Sequence, residues 1–267
     1  MKRRQFIQKM AGLSLTLPFV QSFANNSALL SPPKQKVVIG IGDAGINILD
    51  TFRNLPTFSQ TSCRTIAVDW DGRSNPRDMN PRLMNFPDHD KILLGERQFT
   101  KNSIVAMDVK DGVINHNIYG IVNDIDAIKA ALINDWSPAA LDRVTPILNN
   151  AISLIVIAGL GRGTGSLIGP SLVQASMKAG IPTLGVWIAP FKFEGSNHDF
   201  YTWLVNNDMT GPCDCYIQSN DRGVVKLGDK YSLKRGVDLI NSKIAEEIVL
   251  KEVARDRKQV PICTYPA

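Results

Sequence analysis

The stretch Ser153-Leu-Ile-Val-Ile-Ala-Gly-Leu-Gly-Arg-Gly-Thr-Gly-Ser166 constrains the fold more than any other part of this chain. Leu154 to Ala158 is an uninterrupted apolar run, as in a strand buried on both faces. It breaks into a loop with glycine at 159, 161, 163 and 165, and Ser166 to Ala179 then reads as a helix. A strand, a glycine loop and a helix N-terminus in that order make an anion site. Backbone N–H groups are free there, and the helix dipole adds partial positive charge. Glycine also lets the backbone approach an oxyanion closely. An ordinary strand-to-helix turn does not need four alternating glycines, so the stretch points to phosphate.

A second glycine segment precedes it. Val37 to Ile41 is a short apolar strand; Gly40, Gly42 and Gly45 spell G-x-G-x-x-G; and Ile46, Ile48, Leu49 and Phe52 fit one face of a helix. Taken alone, this motif suits a dinucleotide-binding Rossmann unit equally well. The next strand, Arg64–Asp71, ends in two acids, and Asp69 stands about where such a unit places its ribose-binding carboxylate. An NAD-dependent Rossmann enzyme is therefore a rival reading, and a pair of solvated loop carboxylates is the plain one.

Further elements alternate. The stretch 75–90, with three prolines, reads as loop, and Lys91–Gly95 as a third strand. The stretch 108–119 is polar and unassigned; 121–136 and 139–148 read as helices. Ile181–Ala189 is a near-continuous apolar strand, 197–209 a helix, Cys213–Ser219 a strand and 237–258 a long helix. The alternation predicts an α/β fold: a three-layer, Rossmann-like parallel sheet with helices on both faces. Ligands in such sheets bind beyond the carboxyl ends of the strands, where both glycine loops fall.

Composition sets outer bounds. Hydrophobic content of 44% suits a globular core, and a net charge of +5, partly from the N-terminal cluster, makes no case for nucleic acid. No uninterrupted 18-residue apolar run marks a spanning helix. Residues 1–24 stand apart: Lys2, Arg3 and Arg4 precede a short apolar segment and Ser22-Phe-Ala24. That pattern fits a twin-arginine export signal or an amphipathic anchor on the inner membrane face. Residues 25–35 read as a linker, 36–258 as the folded domain and 259–267 as a tail. Cys213-x-Cys215 lacks a second pair or a nearby histidine, so small core residues are expected there rather than a zinc site.

Four motifs in order resemble the nucleotide-binding domain of the FtsZ/tubulin family, over about residues 35–258. Ala158–Ser166 is similar to the family's G-G-G-T-G-[ST]-G loop, and Val38–Asn47 to its first glycine loop with a closing asparagine. Thr183–Gly195 resembles the strand that ends in P-F-x-F-E-G, and Asn220-Asp221-Arg222 the later N-D-[KR]. The resemblance implies GTP or GDP as ligand. Gly42, Asp43, Ala44 and Gly45 would line the phosphate path and Asn47 would reach the guanine. Gly161, Arg162, Gly163, Thr164 and Gly165 would cradle phosphates, Glu194 would accept from ribose hydroxyls, and Asn241 falls near the base-reading position. It further implies self-association, or association with a full-length FtsZ-type protein, in a bacterial cytoplasm; residues 1–24 add inner-membrane contact or, alternatively, export.

Departures from the family pattern carry their own expectations. Asp43 replaces a glycine and would repel phosphate unless Mg2+ intervenes; Arg162 and Leu167 replace two more. Glu96–Lys101 stands where the terminal-phosphate Gly-Ala-Gly loop is expected, and Ser242 where a base-reading aspartate is expected. Nothing after Lys258 resembles the acidic loop that completes a neighbour's site. GTP hydrolysis by the head-to-tail route is therefore expected to be impaired, with a non-catalytic scaffold as the further alternative.

Overall fold

A computed structural model describes residues 34–71, 80–96, 107–110, 113–116, 144–161, 163–207, 214–227 and 230–255. The expectations for 1–24, for the linker before residue 34, for the helix 121–136, for Arg162 and for the tail lie outside them. The described elements run β1 (Gln35–Ile41), α1 (Gly42–Arg53), β2 (Cys63–Asp71), β3 (Lys91–Glu96), β4 (Met107–Lys110) and β5 (Val113–His116). They continue with β6 (Ala151–Gly159), α2 (Gly163–Lys178), β7 (Thr183–Ala189), α3 (Ser196–Asn206), β8 (Asp214–Ser219), α4 (Asn220–Leu227), α5 (Leu233–Ile244) and α6 (Lys251–Ala254).

Six strands form one parallel sheet in the order β3-β2-β1-β6-β7-β8. The chain builds outward from β1 in one direction, then returns to β1's other side with β6 and builds the opposite way. That reversal is a topological switch point, where crossovers leave to opposite faces and a crevice opens beyond the strand ends. Register places the ends together. Ile41 pairs with both Val68 and Ala158, Ala158 with Trp187, and Trp187 with Ile217. The segments that follow these strands therefore emerge in one row along a single sheet edge.

Alternation on the strands divides the core in two. Val37, Ile39 and Ile41 of β1 join Leu154, Val156 and Trp187 under α2 and α3. Val38 joins Ile155, Ile157 and Val186 under α1 and the segment from α5 to α6. Helices thus cover both faces, as the alternating pattern predicts. All seven residues of β7 are buried, which explains its unbroken apolar sequence.

Several boundaries differ from the sequence reading. α2 starts at Gly163 rather than Ser166, because glycine is compatible with a first turn whose N–H groups need no intrahelical acceptor. The long helix begins at Leu233, where the Ser232 hydroxyl accepts from the Arg235 N–H at 3.3 Å; it passes through a π turn at Ala245–Leu250 and ends at Ala254. Within 139–148, the residues from Thr145 onward form a 3-10 turn, Thr145–Asn150, with Pro146 near its start, in place of an α-helix. The polar, unassigned stretch 108–119 overlaps an antiparallel pair of short strands, β4 and β5.

Cys63, the first residue of β2, is a half-buried free thiol; Cys215 lies half-buried on β8, and Cys213 lies outside the described residues. Burial is the largest influence on Cys63 and pushes its thiol up, with a hydrogen bond to Thr61 opposing. The thiolate is the reactive form, so Cys63 should alkylate more slowly at pH 8 than in the unfolded chain. The sign follows: the unfolded chain ionises this thiol first as pH rises past about 9, so the site loses stability in alkali. Peptide-resolved alkylation against pH checks this; equal rates at Cys63 in the folded and unfolded chain would refute it.

Candidate functional site

Both glycine segments run straight from a strand into a helix. α1 starts at Gly42, immediately after β1, and its N-cap Ile41 offers no side-chain cap. α2 starts four residues after Gly159. The first-turn N–H groups of both helices lack intrahelical acceptors, and each helix carries partial positive charge there.

The two helix starts are in near contact. A Cβ built on Gly42 would lie 3.4 Å from Thr164 Cβ and 3.6 Å from Gly165 N. One built on Gly159 would lie 2.9 Å from Ala44 Cβ. Close approach depends on the missing side chains: a Cβ at Gly45 would meet Ile157 O at 2.2 Å, and one at Gly165 would meet Gly159 O at 2.2 Å. Each helix start is thus pressed onto the strand that carries the other loop or its own. The buried Ser166 hydroxyl accepts from Gly161 N–H at 2.9 Å, and Leu160 N–H donates to Ile188 O at 2.9 Å.

A cleft of about 300 Å³ opens beyond this junction. Of the residues singled out in the sequence, Gly42, Asp43, Ala44, Asn47, Gly163, Thr164, Gly165, Glu194 and Asn241 line it. Gly45 and Gly161 do not: the first packs on β6, and the second turns with φ of 98° beside the Asn197 carbonyl. Arg162 lies outside the described residues.

The polar groups have distinct surroundings. Glu194 Oε1 accepts from Phe191 N–H at 3.0 Å and Oε2 from Asn197 Nδ2 at 3.3 Å, so its carboxylate is partly committed to its own turn. Asn47 Oδ1 accepts from Asn80 Nδ2 at 3.2 Å. Asn241 is only 7% exposed, yet its amide makes no hydrogen bond among the described residues, while the cleft lies before it. Ser242 turns its hydroxyl back to the Asp238 carbonyl at 3.0 Å. Asp43 stands in the first turn of α1 on the exposed side of the cleft.

Among the lining residues that the FtsZ/tubulin-like motifs give no site role are Asp69, Pro190, Asn220 and Val237. Asp69 was assigned only to the Rossmann rival; it is 5% exposed at the end of β2. Asn220, the first residue of α4, was legible as the residue that follows β8 on the same edge. Its neighbour Asp221 accepts from Lys192 N–H at 3.0 Å, which ties that edge to the turn after β7.

Together these features define a doubly wound α/β domain with a cleft at its switch point. No protein-family profile matches the chain. The cell division protein FtsZ of Helicobacter pylori is 29% identical over 160 residues, 60% of this chain and 33% of that protein. FtsZ of Buchnera aphidicola is 27% identical over 110 residues, 41% of this chain and 27% of that protein. The chain thus matches about a third or less of the length of these curated relatives. Among solved structures, an empty FtsZ dimer of M. jannaschii superposes with a TM-score of 0.59 at 16% identity, covering 85% of this chain and 57% of that one. CetZ2 of Haloferax volcanii, a GTPγS-bound protofilament, superposes at 0.55 and 21% identity, covering 82% of this chain and 58% of that one. The chain has an FtsZ/tubulin-like fold, with the Rossmann-type sheet of these solved neighbours.

Proposed function

We propose that the cleft binds a guanine nucleotide, with phosphates at the first turns of α1 and α2 and the base toward Asn47 and Asn241. The observation that carries this reading is the approach of two glycine-built helix starts on one cleft, so close that a Cβ on Gly42 would meet Thr164 and Gly165. Two such starts offer more backbone donors and more partial positive charge than one anion needs, and so suit a polyphosphate. The largely buried Asn241 amide, which lines the cleft and makes no hydrogen bond among the described residues, supplies a second reason for a polar ligand. The NAD reading accounts for Gly42 and Asp69 but leaves Gly163–Gly165 without a purpose. GTP and GDP should bind in calorimetric titration; no heat from either at millimolar concentration would remove the reading.

The wider role is FtsZ-like: nucleotide-linked self-association or association with a full-length FtsZ-type filament, with weak or partner-dependent GTPase activity. Support comes from the FtsZ relatives and the CetZ2 protofilament. Phosphoryl transfer relies on positioning and on neutralising charge at the phosphates, and Asp43 adds charge of the wrong sign there. Mg2+ between Asp43 and the phosphates would offset it. Asp43→Gly should therefore tighten GDP binding in EDTA by about tenfold and make affinity less dependent on Mg2+. Equal affinity of the two proteins in EDTA would show that Asp43 does not face the phosphates. Asp43 also favours a second reading, a non-catalytic scaffold that binds the host's filament protein; co-sedimentation with that protein and failure to turn over GTP would select it.

No helix among the described residues is long and apolar enough to cross a membrane. We place the domain in the bacterial cytoplasm, held at the inner membrane through residues 1–24. N-terminal sequencing of the mature protein tests this, since cleavage after Ala24 would mean export.

A further inference from the structure

Asn80 lies outside the cleft lining, just before the 3-10 turn Pro81–Asn85, and is 5% exposed. Its amide has a fixed polarity because backbone groups hold both ends. The Arg82 N–H can only donate, and it donates to Asn80 Oδ1 at 3.0 Å. The Asp43 carbonyl can only accept, and it accepts from Asn80 Nδ2 at 3.2 Å. Flipping the Asn80 amide would set donor against donor and acceptor against acceptor.

The second Nδ2 proton of Asn80 goes to Asn47 Oδ1 at 3.2 Å. That bond orients Asn47 in turn. Its oxygen is committed to Asn80, and among the described residues its own Nδ2 group donates to nothing while Asn47 lines the cleft. Arg82 pins the turn that carries Asn80. Its guanidinium donates to Asn47 O at 3.1 Å and Thr51 Oγ1 at 3.3 Å on α1, pairs with Asp50 at 3.7 Å, and reaches Asp238 on α5 at 3.5 Å.

We propose that Asn80 is a positioning residue that locks Asn47 with its amide nitrogen toward the cleft, so that a bound nucleotide must present a hydrogen-bond acceptor there. This rests on the nucleotide reading above and adds a chemical requirement to it. A purine keto oxygen or ring nitrogen meets the requirement; an exocyclic amine set against Asn47 does not. A relay of backbone-anchored polarity costs no ligand-induced ordering, so the donor is ready before the ligand arrives.

The test uses the full chain and GDP. Asn80→Ser keeps an acceptor for the Arg82 N–H, as serine is a good cap, but releases Asn47. The expected result is GDP affinity weakened about five- to tenfold, with the melting temperature within about 2 °C of wild type. A merely structural residue would lower the melting temperature and leave the affinity of the folded fraction unchanged. GDP affinity within about twofold of wild type would overturn the proposal. The second measurement does not depend on the variant folding. In wild-type protein the side-chain amide cross-peak of Asn47, assigned by its loss in Asn47→Asp, should shift on adding GDP. A cross-peak that stays put while GDP binds would overturn the proposal as well. Absence of GDP binding to the wild-type chain is a different failure, and it removes the nucleotide reading itself.

Discussion

Replacing Gly45 by alanine is expected to lower the melting temperature by about 6–12 °C and to weaken nucleotide binding at least tenfold. The new methyl group would sit 2.2 Å from the carbonyl oxygen of Ile157, in the middle of a strand paired on both sides. Neither partner is a side-chain end that can swing aside, so α1 must lift from β6. Overpacking of this kind costs roughly 3 kcal/mol, and a domain of this size loses about 2–4 °C per kcal/mol. Lifting α1 also separates Asp43, Ala44 and Asn47 from the start of α2, and binding suffers beyond the stability loss. Gly180→Ala is the matched control. Its φ of 73° is unfavourable for alanine, but nothing lies within 4 Å of the added atom, so only about 1–2 kcal/mol should be lost, with binding intact. Thermal melting and GDP titration of both variants decide the matter. Equal melting temperatures for the two would show that the α1–β6 contact is not the tight junction described.

Trp187→Ala should be similarly damaging. Trp187 is fully buried on β7, and its ring fills the space over Gly185 and beside Gly169, with a Cβ built at either position falling 2.6 Å and 3.0 Å from ring carbons. No neighbour can close such a gap, and a truncation of this size costs about 3–5 kcal/mol. Trp187→Phe tests the cause. The indole Nε1 is buried without a hydrogen-bond partner among the described residues, a desolvation cost that phenylalanine removes. The lost ring volume and the relieved N–H should then largely cancel, leaving Trp187→Phe within about 1.5 kcal/mol of wild type in urea unfolding. A Phe variant as unstable as the Ala variant would mean that indole volume alone matters.

The centre of the sheet was legible in the sequence because strands such as β6 and β7 are largely buried on both faces and so carry apolar runs. Helix starts were harder. Gly163 and Gly165 read as loop residues, yet a first turn tolerates glycine when a strand backbone presses against it. α5 starts four residues before the position that apolar spacing predicts, because Lys234 and Arg235 interrupt that spacing on exposed turns. The cleft residues that follow strands, such as Thr164, were readable from motif order. The Asn80–Asn47 bond was not, since it joins positions 33 apart and no local pattern foretells which amide a turn will face. Arg82 is of the same kind, spanning 156 positions to Asp238.

The division of the interior into two half-cores has a consequence for how this scaffold can diversify. α1 and α5, which bring Asn47 and Asn241 to the cleft, pack on one side of the sheet, while α2 packs on the other. On the nucleotide reading proposed above, substitutions that reshape the first side would change which heterocycle is welcomed, while α2's share of the grip on the anionic end would survive them. Such a layout would let a lineage exchange one nucleotide for another without first passing through a form that binds none.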